Sequence, residues 1–264
     1  MNVVAPIKPP KKKETTGEMI RSFLFMVLLA LIFRSVAYEP FHIPSGSMLS
    51  TLYEGDYIFV SKLSYGYSQF SFPFSPKLFE GRMFASEPMR GDVVVFRNPA
   101  NTKIDYIKRL IGLPGDTIQV KRGRLYINGA MVEQTRKGEV MLPNDCGEIE
   151  AIARYEEVLP GGATHTVLDD TAITDPNNSC ELTQRVRTER VAFDPDNTKL
   201  YTVPAGHYFM MGDNRDHSQD SRYSAELGYG DAPGFVPFEN FVGRADVIAF
   251  SLKGLSGRWF RAIQ

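Results

Sequence analysis

Apolar and polar positions divide the chain into regimes of different period. Residues 1–17 (MNVVAPIKPPKKKETTG) are rich in proline and lysine and have no apolar periodicity, which predicts a disordered tail. Phe23 to Phe33 (FLFMVLLALIF) is then an unbroken apolar run, bracketed by Arg21 and Arg34. From residue 39 onward the dominant period is two. Tyr57-Ile58-Phe59-Val60 and Asp92-Val93-Val94-Val95-Phe96 read as short buried strands, and Val242 to Phe250 as a late one. Thr117 to Val120, Lys121-Arg122-Gly123, and Arg124 to Ile127 ahead of Asn128-Gly129 give the clearest hairpin signal. Val132 to Val203 is polar and loop-rich, which predicts a separate or inserted lobe. Helical patterns between strands are missing, so a parallel α/β sheet is not expected. The expectation is a mainly β protein with antiparallel sheets in two lobes.

The apolar run admits three readings. A membrane span needs roughly 20 residues, and Ile20 to Tyr38 reaches that length if Arg34 snorkels to the interface. A cleaved secretory signal fits as well, with Lys11 to Lys13 as its positive region and Ser35-Val36-Ala37 as a small-residue cleavage site. A buried core helix is the third, disfavoured by the polybasic lead. Anchor and signal agree on direction, because Lys8 and Lys11 to Lys13 stay cytoplasmic and residue 39 onward is exported. In an oxidising compartment Cys146 and Cys180 could pair, closing a loop worth about 4 kcal/mol; two unpaired thiols are the alternative.

Composition narrows the function classes. The 264 residues carry 30 basic against 31 acidic side chains, a formal charge of −1, so no basic excess points to nucleic acid. Two cysteines cannot make a four-ligand zinc cluster. Dinucleotide and P-loop glycine motifs, C-x-x-C, H-E-x-x-H and the G-x-S-x-G elbow are all missing. The four histidines (His42, His165, His207, His217) are scattered and read as surface or hydrogen-bonding residues rather than ligands.

Three segments look over-specified for loops. Pro44-Ser45-Gly46-Ser47-Met48 puts two hydroxyls around a glycine that permits close approach of a ligand; a plain Ser/Gly turn is the bland alternative. Asp105-Tyr106-Ile107-Lys108-Arg109-Leu110-Ile111-Gly112 is apolar enough for a strand, with either Lys108 or Arg109 facing inward. Gly212-Asp213-Asn214-Arg215-Asp216-His217-Ser218-Gln219-Asp220-Ser221-Arg222 follows an apolar strand directly, which suggests an ordered ion-pair scaffold more than a solvated loop. Together they suggest a serine nucleophile served by a neutral lysine. Lowering a lysine by two to three pH units from about 10.4 costs about 3–4 kcal/mol of differential solvation, and burial among apolar side chains shifts it in that direction.

PSGSM at 44–48, RGDVVVF at 90–96, DYIKRLIGLPGD at 105–116 and GDNRDHSQDSR at 212–222, in this order, resemble the bacterial type I signal peptidases from about residue 20 to the end of the chain. The resemblance implies antiparallel sheets of the signal-peptidase and SOS-repressor peptidase type behind one N-terminal transmembrane helix. It implies a cytoplasmic tail (1–17), an anchor (18–38), a catalytic β domain (39–131 and 203–264) and an inserted non-catalytic lobe (132–202). It further implies Ser47 as nucleophile, Lys108 as general base and the Ser45 hydroxyl as an oxyanion donor. Ser218 is implied to orient the lysine, and Asp220, Arg222, Asp213 and Arg109 to be supporting ion pairs. Phe41, Ile43, Pro44 and Ile107 are implied at the pockets for the small −1 and −3 side chains of the substrate. The implied activity is removal of signal peptides from exported preproteins after A-x-A-like sites, with no metal or cofactor. The implied partners are preproteins and inner-membrane phospholipid, not nucleic acid, and the implied location is a single-pass plasma-membrane protein with a periplasmic body.

Two positions depart from the family pattern. Ser50 stands where a proline is usual two residues after the motif methionine, and Ser224 to Pro233 (SAELGYGDAP) is inserted beside the third segment. The aromatic stretch Tyr65 to Phe74 is expected either to dip into the membrane interface or to pack within the β body. A self-cleaving repressor would need a DNA-binding helical motif where this chain has its apolar run, and a silent membrane-tethered binding domain is the rival from another class.

Overall fold

In the computed structural model, residues 15–72, 75–77, 79–143, 149–169, 193–223, 232–252 and 257–263 are described. Strand β3 (Val93–Arg97) sits at the heart of the fold between β4 (Asp105–Gly112) and β14 (Phe241–Ser251). Its residues Val93 to Phe96 are all buried, because both faces of the sheet are covered there, and strict alternation is lost. On one side the sheet continues from β14 to β2 (Asp56–Ser61) and β1 (Tyr38–His42); on the other, from β4 to β12 (His207–Met211) and β13 (Val236–Pro237). The short β15 (Arg261–Ala262) pairs with β14.

A four-stranded sheet is built from β5 (Thr117–Lys121), β6 (Arg124–Ile127), β7 (Ala130–Met131) and β11 (Tyr201–Thr202). Its turns follow from local chemistry. Arg122-Gly123 and Asn128-Gly129 each put two consecutive residues at positive φ (49° and 72°; 53° and 78°), the two-residue type I′ geometry that matches strand twist. The predicted hairpin is therefore present in register, with Lys121 opposite Arg124.

The third sheet, β8 (Glu133–Pro143), β9 (Ile149–Val158) and β10 (Thr164–Leu168), lies in the segment expected to be loop-rich. Three of the eleven β8 positions, Gln134, Val140 and Leu142, are half-buried and the rest are exposed, so little alternation marks it as a strand. Pairing along β9 from Glu133 opposite Val158 to Pro143 opposite Ile149 holds it extended instead. Among the described residues every named strand pairing is antiparallel.

Helix α1 (Thr16–Val36) precedes the sheets. Its described apolar side chains from Met19 to Leu31 are exposed, and Leu63, Met83 and Phe84 are exposed as well. Counted over the described residues, no helix is long and apolar enough to cross a membrane. The loop of Tyr67, which bridges to Met83, meets the end of α1 through a 2.7 Å hydrogen bond from the Tyr67 hydroxyl to the Val36 carbonyl. Tyr65 and Phe70 are buried, and Phe72 packs against Tyr67 and Phe79, so this part of the aromatic stretch belongs to the β body. Phe74, Cys146, Cys180 and most of the 224–233 insertion lie outside the described residues.

Candidate active site

Ser47 sits in a single 3-10 turn, Gly46–Met48, between β1 and β2, and is buried beside Met48. The turn is entered through extended Ser45, whose hydroxyl caps none of its N–H groups. Ser45 and Pro44 are exposed, while Ile43 is fully buried in a core cluster against which Phe41 and Ile107 pack. Lys108 lies on β4, opposite Val94 of β3. Its Nζ donates to Ser47 Oγ at 2.6 Å and to the Ile107 carbonyl at 3.0 Å.

The sequence left open whether Lys108 or Arg109 faces inward. Both do: Lys108 is 3% and Arg109 1% exposed. Successive strand residues point to opposite faces, and each face of β4 is covered. Their fates differ with their partners. Burial pushes the Lys108 amine down to about 8, against the opposing fields of Asp220 and Asp213 and with a further push from Arg222. Arg109 instead meets a counter-ion, donating from Nε and Nη2 to the two Asp213 oxygens at 2.8 and 2.7 Å. Burial tends to raise the Asp213 carboxyl, but Arg109, His165 and the Thr51 hydroxyl (2.5 Å) together hold it below its ordinary range.

Arg222 and Asp220 form a second dry pair at 2.9 Å. The Asp220 carboxylate also accepts from the Gly212 N–H at 3.0 Å and from the Ser218 hydroxyl at 2.8 Å. Burial alone would raise it; Arg222 and these donors keep it low. Ser218 thus differs from its expected part: its hydroxyl is given to Asp220, and Lys108 is held by Ser47 and the Ile107 carbonyl. Ser218 still packs close by. A Cβ on Gly212 would lie 2.2 Å from Ser218 Oγ and 2.6 Å from the Ser47 carbonyl oxygen, so only glycine lets these two segments meet.

The scaffold extends into the third sheet, expected to be non-catalytic. Arg215 pairs with Glu157 of β9, and His165 of β10 places Nε2 3.2 Å from Glu157 and 3.8 Å from Asp213. Burial, then the field of Arg109, pushes the imidazole pKa down. The Leu168 N–H donates to the Asp213 carbonyl and the Arg215 N–H to the Leu168 carbonyl, so β10 and the 212–222 loop share backbone hydrogen bonds. Glu157, Arg215 and Thr51 carry no sequence signal of their own, and His165, one of four scattered histidines, is buried rather than on the surface. Arg215 stood within a quoted motif, but Glu157 in IEAIARYEEV looks like any surface-strand glutamate.

A cleft of about 630 Å³ opens over Ser47. It is lined by Ser45, Gly46, Ser47, Leu49, Tyr53 and Glu54, by Asn214 and His217 of the 212–222 loop, and by Leu142, Pro143 and Ile152 of the third sheet. Phe41, Ile43, Pro44 and Ile107 lie outside it. A hydroxyl hydrogen-bonded to a dry amine, beside an open groove and with acids held ionised behind it, can do acyl transfer without further groups.

The family model for signal peptidase, peptidase S26, matches residues 16–250. A signal peptidase I of Rickettsia typhi is 42% identical over 92% of this chain and 83% of its own length. One from Rickettsia canadensis is 43% identical over 91% of this chain and 82% of its own. A solved signal peptidase I from Enterococcus faecalis is 26% identical, covering 60% of this chain and 97% of its own, at a TM-score of 0.30.

Proposed function

The chain belongs to the signal peptidase family, peptidase S26, serine peptidases that remove signal peptides, and from that premise we propose that Ser47 is its nucleophile and Lys108 its general base. The observation that carries the assignment is the 2.6 Å hydrogen bond between the buried Lys108 amine and the Ser47 hydroxyl. With its pKa lowered to about 8, about a tenth of the amine is neutral at pH 7, against less than a thousandth for an ordinary lysine.

The neutral amine takes the Ser47 proton as the oxygen attacks the carbonyl of the −1 residue. The new oxyanion is held by the Ser47 N–H and by the Ser45 hydroxyl, which the turn leaves unused as a cap. Protonated Lys108 returns its proton to the leaving amine of the mature chain. Neutral again, it activates the water that frees the signal peptide from Ser47. Asp213 with Arg109 and Asp220 with Arg222 fix the loop behind the dyad, and Ser218 acts on Lys108 only through Asp220. The half-buried Phe41 and Ile107 side chains, backed by the buried Ile43, supply the apolar, sterically tight surface suited to small −1 and −3 residues, next to the Pro44 turn.

Residues 18–38 serve as a single membrane anchor, with the lysine-rich tail in the cytoplasm, the body outside the plasma membrane and phospholipid as its neighbour. The unbroken apolar run, the exposed α1 side chains and the apolar Leu63, Met83 and Phe84 beside the helix end support this reading. Cleavage of a preprotein bearing an A-x-A site by the full-length chain in detergent tests the dyad. Ser47→Ala and Lys108→Met are each expected to abolish processing without loss of cooperative thermal unfolding, and the wild-type kcat/KM to rise through a midpoint near pH 8. Substantial processing by either variant would overturn the assignment.

A further inference from the structure

Asn214 presents a polar atom that the mechanism above does not use. Its side chain is 3% exposed and lines the cleft over Ser47. The backbone N–H donates to the Ser47 carbonyl at 3.1 Å and Nδ2 donates to the Gly46 carbonyl at 3.1 Å. The Nδ2 donation fixes the amide's orientation, since a flipped amide would set oxygen against oxygen. Oδ1 is then turned away from the turn, buried and without a hydrogen-bond partner. A buried acceptor left unpaired carries its desolvation penalty, which a ligand that brings an N–H relieves.

A peptide stretched across Ser47 must continue on both sides of the bond that is cut. The Phe41–Ile43–Ile107 cluster lies outside the cleft, whose lining includes Asn214 and the apolar Leu142, Pro143 and Ile152. We propose that this cleft binds the mature-chain side of the substrate, with Asn214 Oδ1 accepting the first backbone amide N–H beyond the scissile bond and the β8–β9 wall contacting the side chains that follow. This rests on Ser47 being the nucleophile and assigns the β8–β9 sheet a part in substrate binding.

The test compares two synthetic preprotein peptides cut by the full-length chain in detergent. They share signal sequence and A-x-A site, but one has an ester in place of the first amide beyond the scissile bond, which removes that N–H. Wild type is expected to prefer the amide in kcat/KM by about tenfold, the worth of one such hydrogen bond. Asn214→Ala is expected to abolish the preference and Asn214→Asp, which keeps an acceptor there, to restore most of it. A loosened turn alone would slow both peptides equally. In a second arm Leu142→Ser/Ile152→Ser is expected to erase any preference for apolar over polar side chains beyond the site, leaving the preference for alanine at −1 unchanged. Equal amide preference in wild type and Asn214→Ala, or a moved −1 preference in the wall variant, overturns the proposal. Processing that survives Ser47→Ala would instead overturn the nucleophile.

Discussion

Among the described residues two lysines are buried, and they have opposite surroundings. Lys62 is 1% exposed; its amine meets the Glu39 carboxylate at 2.9 Å and donates to the Ser71 carbonyl. Lys108 is 3% exposed, and its bonded neighbours are a hydroxyl and a carbonyl. Burial lowers both amines, but at Lys62 the Glu39 contact pulls back toward the charged form. At Lys108 the acids act from behind other partners: Asp220 is claimed by Arg222 and Asp213 by Arg109. Burial thus makes a base only where the counter-charge has been engaged elsewhere; with a carboxylate in contact it makes a structural ion pair.

Exchanging each lysine for methionine should separate the two roles. Lys108→Met is expected to reduce processing by about a thousandfold or more, within the range for loss of a general base, whereas Lys62→Met leaves kcat within about threefold. A comparable loss in both, measured on one preprotein, would erase the distinction. Next in size is the engagement of the acids. Asp220→Ala leaves the Arg222 guanidinium buried without its partner, and a destabilisation of about 3–5 kcal/mol is expected, read from denaturant unfolding. A change below about 1 kcal/mol would mean that the pair does not hold the loop.

The smallest effect sharpens the comparison most. Because folding lowers the Lys108 pKa from 10.5 to about 8, the folded state disfavours the charged amine. The cost is full below pH 8 and fades as pH rises towards 10.5. Lys108→Met is therefore expected to be more stable than wild type at pH 7, by up to about 3 kcal/mol before packing losses. The gap should close by pH 10.5. A gap independent of pH would place the amine in contact with water.

Local signals in the sequence carried the strands whose chemistry is local. Arg122-Gly123 and Asn128-Gly129 announce their turns, and Val93 to Phe96 can only be interior. The Ser47–Lys108 contact was foreshadowed because both residues lie in segments whose composition conflicts with a plain loop or surface strand. What stayed hidden depends on distant partners. Gly46, whose carbonyl holds the Asn214 amide, is 168 positions away. β8 has no buried position to mark it, and the acid on β9 that meets Arg215 has ordinary glutamate neighbours. Lys108 and Arg109 posed a choice only on the assumption that one face of β4 was wet.

The contact at Gly212 bears on tolerance. Hydrogen bonds stretch by tenths of an ångström at little cost, but the repulsion that a methyl group would meet at 2.2 Å from Ser218 Oγ rises steeply. The seat of Ser47 is accordingly set by a hard stop with room for one hydrogen atom. Such a spacing is insensitive to gentle perturbation and intolerant of added bulk, like a machined gap rather than a spring.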